Sequence, residues 1–238
     1  MKYIFFLLSF NLCFGQIKNG KVVYSVIFNF EENKIKNKDV QNFIDVAKSG
    51  SNQISFSLKF NKNYSLYENN TRGIKNYEQE IALILSESEN TCYTDLITKI
   101  NYFQITENEI FRDAEFILID TLNYNWQLSN EIKLIDNYKC YKATLKIDKN
   151  VSGTKNDLNI TAWYSPEIPI AFGPNGFSGL PGLILELDYK NVKFSARSIT
   201  LNSNTNFEIK KPSKGIEINR DKYIKLLKER TPDFKEFE

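Results

Sequence analysis

Hydrophobic and polar residues alternate along most of this chain with the two-residue period of a half-buried strand. Tyr141, Ala143, Leu145 and Ile147 alternate with Lys142, Thr144 and Lys146, and Ile54, Phe56, Leu58 and Phe60 are separated by polar residues. Such a pattern belongs to a sheet with one covered and one wet face, as antiparallel sheets have. The runs that read as strands are 20–30, 54–60, 64–67, 92–100, 102–106, 109–119, 125–135, 138–147, 158–164, 183–188 and 192–201, punctuated by turn residues at the rhythm of a meander. A helical spacing interrupts them at Val40, Phe43, Ile44 and Ala47, opening at Asn37-Lys38-Asp39 and closing at Gly50. A second helix is expected over 221–230, with Tyr223, Ile224 and Leu227 on one side and a solvated basic face. The run 77–88 fits a short helix or a buried strand. The expected fold is mainly β, a β-rich α+β domain: a curved antiparallel meander sheet, a partly closed barrel or a sandwich, with one or two short helices.

The stretch 161–187, TAWYSPEIPIAFGPNGFSGLPGLILEL, concentrates four of the six prolines and four of the ten glycines between two apolar strand-like runs. Pro166 lacks an N–H and should end the first strand, while Pro169 and Pro174 hold the chain extended. Ile168, Ile170 and Phe172 are too apolar to lie in water, so the loop should rest on the sheet. Gly173-Pro174-Asn175-Gly176 reads as one turn and Gly179-Leu180-Pro181-Gly182 as a second, with Pro181 at position i+1 and Gly182 at positive φ in a type II turn. The strand that follows is expected to form a hairpin through Asp188-Tyr189-Lys190-Asn191, with Leu187 facing Val192, Leu185 facing Phe194, Leu183 facing Ala196 and Glu186 facing Lys193.

Composition narrows the chemistry. The chain has 238 residues, 31 basic against 29 acidic, enough for one large domain and too balanced to suggest nucleic acid or an anionic surface as partner. It has no histidine, which excludes Ser-His-Asp and Cys-His nucleophile systems, an imidazole base and His-liganded zinc or haem. Residues 1–15, MKYIFFLLSFNLCFG, read as a short secretory signal peptide with Cys13 and Gly15 at −3 and −1, leaving one domain over 16–238 without a transmembrane segment. Lipidation at Cys13 would want a small residue before it, and Leu12 is not one. An exported chain, periplasmic or secreted, permits a disulfide between Cys92 and Cys140; two buried thiols on separate strands are the equal alternative.

The remaining candidates are carboxylates and aromatics. Asp148-x-Asn150-x-Ser152-Gly153 begins like a calcium loop, but Asn159 stands where a bidentate Glu is needed, and hairpin turn chemistry accounts for it. Glu167 and Glu186 bracket the loop as a glycosidase pair would, yet cross-strand pairing of Glu186 with Lys193 explains the second. Neither a metal nor a cofactor is expected. Trp163, Tyr164, Phe172, Phe177 and Leu180 either line a ligand groove or form the core beneath the loop.

The motif GLPGLILEL, with AWYSPEIPI-x-x-GP before it and NWQLSNEIKLIDNYKCYKATL upstream, resembles the GLPGLI family of exported Bacteroidetes proteins. The resemblance covers about residues 120–200 and rests on Pro166, Pro169, Gly173, Pro174, Gly179, Pro181, Gly182 and Glu186. It implies an exported location and assigns no catalytic residues. Two functions are compatible with the sequence: a non-enzymatic carrier holding an apolar ligand such as a lipid in a curved sheet, or a module that docks a cell-envelope protein through the rigid loop or a strand edge.

Overall fold

The computed structural model describes residues 17–230, apart from 32–34, 72, 74, 89, 107–109, 113 and 152–153, and describes no side chains over 148–157. The expected signal peptide with Cys13, and the side chains of the calcium-like motif, therefore lie outside the described residues.

Among the described residues, twelve strands form one open sheet. In chain order they are β1 (Asn19–Phe28), β2 (Phe56–Asn61), β3 (Tyr64–Asn69), β4 (Thr91–Asp95), β5 (Ile100–Ile105), β6 (Phe116–Thr121), β7 (Gln127–Ile135), β8 (Tyr138–Val151), β9 (Thr154–Ser165), β10 (Leu183–Tyr189), β11 (Val192–Leu201) and β12 (Ile216–Asn219). Three helices accompany them: α1 (Lys38–Gly50), α2 (Tyr77–Ser86) and α3 (Arg220–Arg230). The order across the sheet is β12-β6-β5-β4-β3-β2-β1-β11-β10-β9-β8-β7. β1 is thus the spine, with one antiparallel meander on each side, and only β12 against β6 is parallel. Among the described residues no helix is long and apolar enough to cross a membrane.

One face carries the main core. Val22, Tyr24 and Val26 of β1 join Phe56, Leu58 and Phe60 of β2, Ala162 of β9, Leu187 of β10 and Phe194 of β11 in one buried cluster. The helices α1 and α2 add Ala47, Ile81, Ala82 and Leu83 to it. Capping starts both helices: the Asn37 side chain accepts from Asp39 N at 2.8 Å, and Asn76 with Gln79 forms a capping box. That box decides 77–88 in favour of a helix.

Several boundaries differ from the sequence expectation, each for a local reason. The strand expected at 92–100 ends at Asp95, because Asp95 Oδ1 accepts from Ile97 N at 2.8 Å and Thr98 N at 3.1 Å and turns the chain into β5. The strand expected at 109–119 begins at Phe116. β12, the parallel strand, lies in a tail that reads as polar and basic, and its four residues are too few for alternation to register. The hairpin β10–β11 turns on two residues, Lys190 and Asn191, with Lys190 at φ 54°. Tyr189 therefore faces Val192, Asp188 faces Lys193, Leu187 faces Phe194 and Glu186 faces Ser195. The shift is two residues, so every side chain keeps its expected face while changing its partner.

Cys92 and Cys140 are free, buried thiols, not a disulfide. Strands β3, β2, β1, β11, β10 and β9 lie between their strands. Both thiols belong to the main buried cluster, Cys92 beside Tyr67, its neighbour in register, and Cys140 opposite Lys133 near one edge of the sheet.

Candidate functional site

The loop between β9 and β10 is the most densely anchored irregular segment of the fold. A buried loop is tolerable only when its backbone polar groups find partners. Here Gly179 N donates to Ala171 O at 3.0 Å, Leu183 N to Ile168 O at 2.9 Å and Ile184 N to Phe172 O at 3.0 Å, and Phe172 bridges Ser178. The Tyr24 hydroxyl donates to Ile184 O at 2.6 Å, tying the loop's exit to the spine strand. Burial pushes that phenol well above its usual pKa.

The loop reaches across the core face to the other meander. Asn101 of β5 donates through Nδ2 to Gly176 O at 3.0 Å and accepts from Thr94 Oγ1 at 2.7 Å. Gly176 has φ +77°, and a Cβ there would lie 2.7 Å from Asn101 Nδ2 and 2.9 Å from Cys92 Sγ. Asn175 precedes it at φ 51° and donates to Glu87 O at 3.3 Å, at the end of α2. The second glycine turn differs from expectation. Gly179, not Gly182, takes positive φ, at +88°, so Pro181-Gly182 is not a type II turn. Gly182 is needed instead for close approach: a Cβ there would lie 2.2 Å from Ser165 O.

Of the five candidate ligand residues, four are core. Tyr164 is 5% exposed, Phe172 0%, Phe177 5% and Leu180 1%. Trp163 is half-buried on the opposite face, with Lys133 Nζ 4.3 Å from its ring centroid. Pro166, Pro169 and Pro181 are exposed, whereas Gly173 and Pro174 are buried. Glu186 forms ion pairs with Lys133 and, at 3.5 Å, with Lys193, while the exposed Glu167 accepts from Lys139 N at 3.2 Å. Both carboxylates thus have partners within the fold. Nearby, burial raises the pKa of Asp188, opposed by Lys193.

The surface that remains beside the loop is aromatic and was not singled out from the sequence. Tyr124 and Trp126, in the crossover from β6 to β7, pack on Phe177 with ring centroids 5.4 and 6.3 Å away, and Tyr189 joins it at 5.5 Å. Trp126 Nε1 donates to Ser178 O at 2.9 Å. Tyr124, Trp126 and Tyr189 are each partly exposed, while burial still pushes the Tyr124 and Tyr189 phenols well up. A charged rim surrounds them: Tyr189 donates its hydroxyl to Glu87 at 3.2 Å, Lys190 pairs with Glu87, and Arg220 pairs with Asp120 at 2.6 Å. The sequence signal was faint, since Tyr124 and Trp126 fall at the mouth of a predicted strand.

A protein-family model described as "Protein of unknown function (Porph_ging)" matches residues 146–186, the segment from β8 through the loop into β10. No curated protein matches the chain. Two solved structures of PNGF-II, in the P21 and C2 space groups, share the fold, with TM-scores of 0.53 and 0.54 at 14% and 13% identity. Each match covers 90% of this chain, which spans about a third of the PNGF-II length, 34% and 33%.

Proposed function

We propose that this chain is an exported, non-enzymatic interaction module of the GLPGLI type, docking a cell-envelope protein through the aromatic surface of Tyr124, Trp126 and Tyr189. One observation carries the choice between the two functions the sequence allows. The side chains a carrier would turn toward an apolar ligand, Tyr164, Phe172, Phe177 and Leu180, are packed into the core. The aromatics left in partial contact with water sit outside it on a hydrogen-bonded frame, as an interface anchor needs. The occurrence of the same fold as about a third of the PNGF-II chains is in keeping with a module that works beside other parts. The absence of histidine and the ion pairing of Glu186 support a role without catalysis.

Native mass spectrometry of the mature protein from an exporting host tests this reading. A bare polypeptide mass is expected, and an extra mass released reproducibly on unfolding would overturn it in favour of a carrier. A photocrosslinking residue at the exposed Asn125, introduced in cells, should trap a discrete envelope protein, whereas one at the exposed Thr205 should not. Equal trapping at both positions would count against the aromatic surface.

A further inference from the structure

Among the described residues the sheet ends at β7, and this edge carries a self-complementary pattern. Ile135 and Tyr138 close a two-residue turn and so form a hydrogen-bonded pair; alternation makes Lys133–Cys140 the next such pair. The N–H and C=O groups of Ile132 and Leu134 therefore point away from β8, toward the open edge. The N–H of Lys139, opposite Leu134, indeed points the other way, to Glu167 at 3.2 Å. On one face of this edge Ile132 is 51% and Leu134 73% exposed. On the other face Glu131 and Lys133 flank Ile132 with opposite charges.

We propose that two copies of this chain pair β7 to β7, antiparallel about a two-fold axis at Ile132. In that register Ile132 exchanges both backbone hydrogen bonds with its counterpart, and Glu131 of each copy faces Lys133 of the other. Shifting the pairing by two residues in either direction sets Lys133 against Lys133 or Glu131 against Glu131, at the close spacing of non-hydrogen-bonded pairs. Charge thus selects one register. It also joins ion pairs each copy already holds, Lys142 with Glu131 at 3.0 Å and Lys133 with Glu186, into a row of alternating sign across the junction. Ile132 packs on its counterpart, with Leu134 diagonal to it. A two-fold pairing needs self-complementarity, which an unrelated strand would match only by chance. The bulge between Leu128 and Ile132 limits the ladder to the segment around Ile132, so the dimer is a weak, concentration-dependent one.

Sedimentation velocity across the micromolar range tests the pairing. The wild-type mature protein should move toward twice the monomer mass as concentration rises. Ile132→Pro removes an N–H directed at the open edge, and should leave a monomer with an unchanged thermal midpoint. Glu131→Lys should weaken the dimer by about tenfold or more, and adding Lys133→Glu should restore it. Under mild oxidation Ile132→Cys should link two copies and Leu134→Cys should not. A wild type that stays monomeric throughout, a dimer that survives Ile132→Pro, or linkage through Leu134→Cys equal to that through Ile132→Cys would each overturn the proposal.

Discussion

Two long segments of this chain lack regular strands or long helices, and they do opposite things. Residues 166–182 lie on the core face, with Phe172 and Leu180 almost wholly buried and the backbone hydrogen-bonded to both neighbouring strands and β5. Residues 202–215 cross the opposite face of the β3–β6 meander largely in water. They touch it at few points: Ile209 packs on the cluster of Leu66, Tyr93, Tyr102 and Ile117, Lys211 sits 3.7 Å from the Tyr102 ring centroid, and Gln104 donates to Lys214 O at 2.7 Å. Near the last contact the segment borders a cleft of about 400 Å³ lined by Ile117, Lys211, Pro212, Ser213, Gly215 and Glu217. The first segment is a core element without regular structure; the second is a strap. Lack of secondary structure therefore does not measure how much stability a segment holds.

Substitutions should separate the two by size of effect. Gly176→Val combines a left-handed backbone with overlap against Asn101 and Cys92, and should cost about 3–5 kcal/mol by denaturant midpoint. Gly182→Ala should cost about 2–3 kcal/mol, since the added methyl meets backbone at 2.2 Å that cannot rotate away. Asn101→Ala leaves Gly176 O without its donor and should cost about 2 kcal/mol. High pH gives a comparable but graded effect. Burial pushes the Cys92 thiol up to about 12, so the folded state keeps a proton that the unfolded state releases. The contribution is intact below the unfolded thiol's pKa, and stability falls above it by about 1.4 kcal/mol per pH unit until the folded value is reached. Cys92→Ala should lessen that fall without abolishing it, because burial also pushes the Cys140 thiol up, to about 11. In the strap, Lys211→Ala should cost about 1 kcal/mol or less.

How much was legible follows from the same contrast. Where one face is wet and the other covered, as in β8 and β9, alternation placed the strands within a few residues. The proline and glycine pattern of 166–182 marked a buried, rigid loop because apolar residues between turn signals admit few other outcomes. What it hid was which glycine does what: a close approach at Gly182 depends on Ser165 across a strand boundary, and no local signal distinguishes it from positive φ. The disulfide is undecidable from local sequence for the same reason, since it is strand order that separates Cys92 from Cys140. The turn length at Lys190-Asn191 shifted a register that side-chain chemistry matched almost equally well two residues away. Tyr124 and Trp126 escaped notice because their importance comes from Phe177, which reaches them only through the folded loop.

Amide hydrogen exchange read at residue level compares the two segments most directly. The account predicts that Gly179, Leu183 and Ile184 exchange as slowly as the spine strand β1, at the cost of global unfolding, while 203–213 exchange through local opening. If Gly179, Leu183 and Ile184 exchange as fast as the strap, the loop is a lid over the sheet, not part of its core, and the account fails.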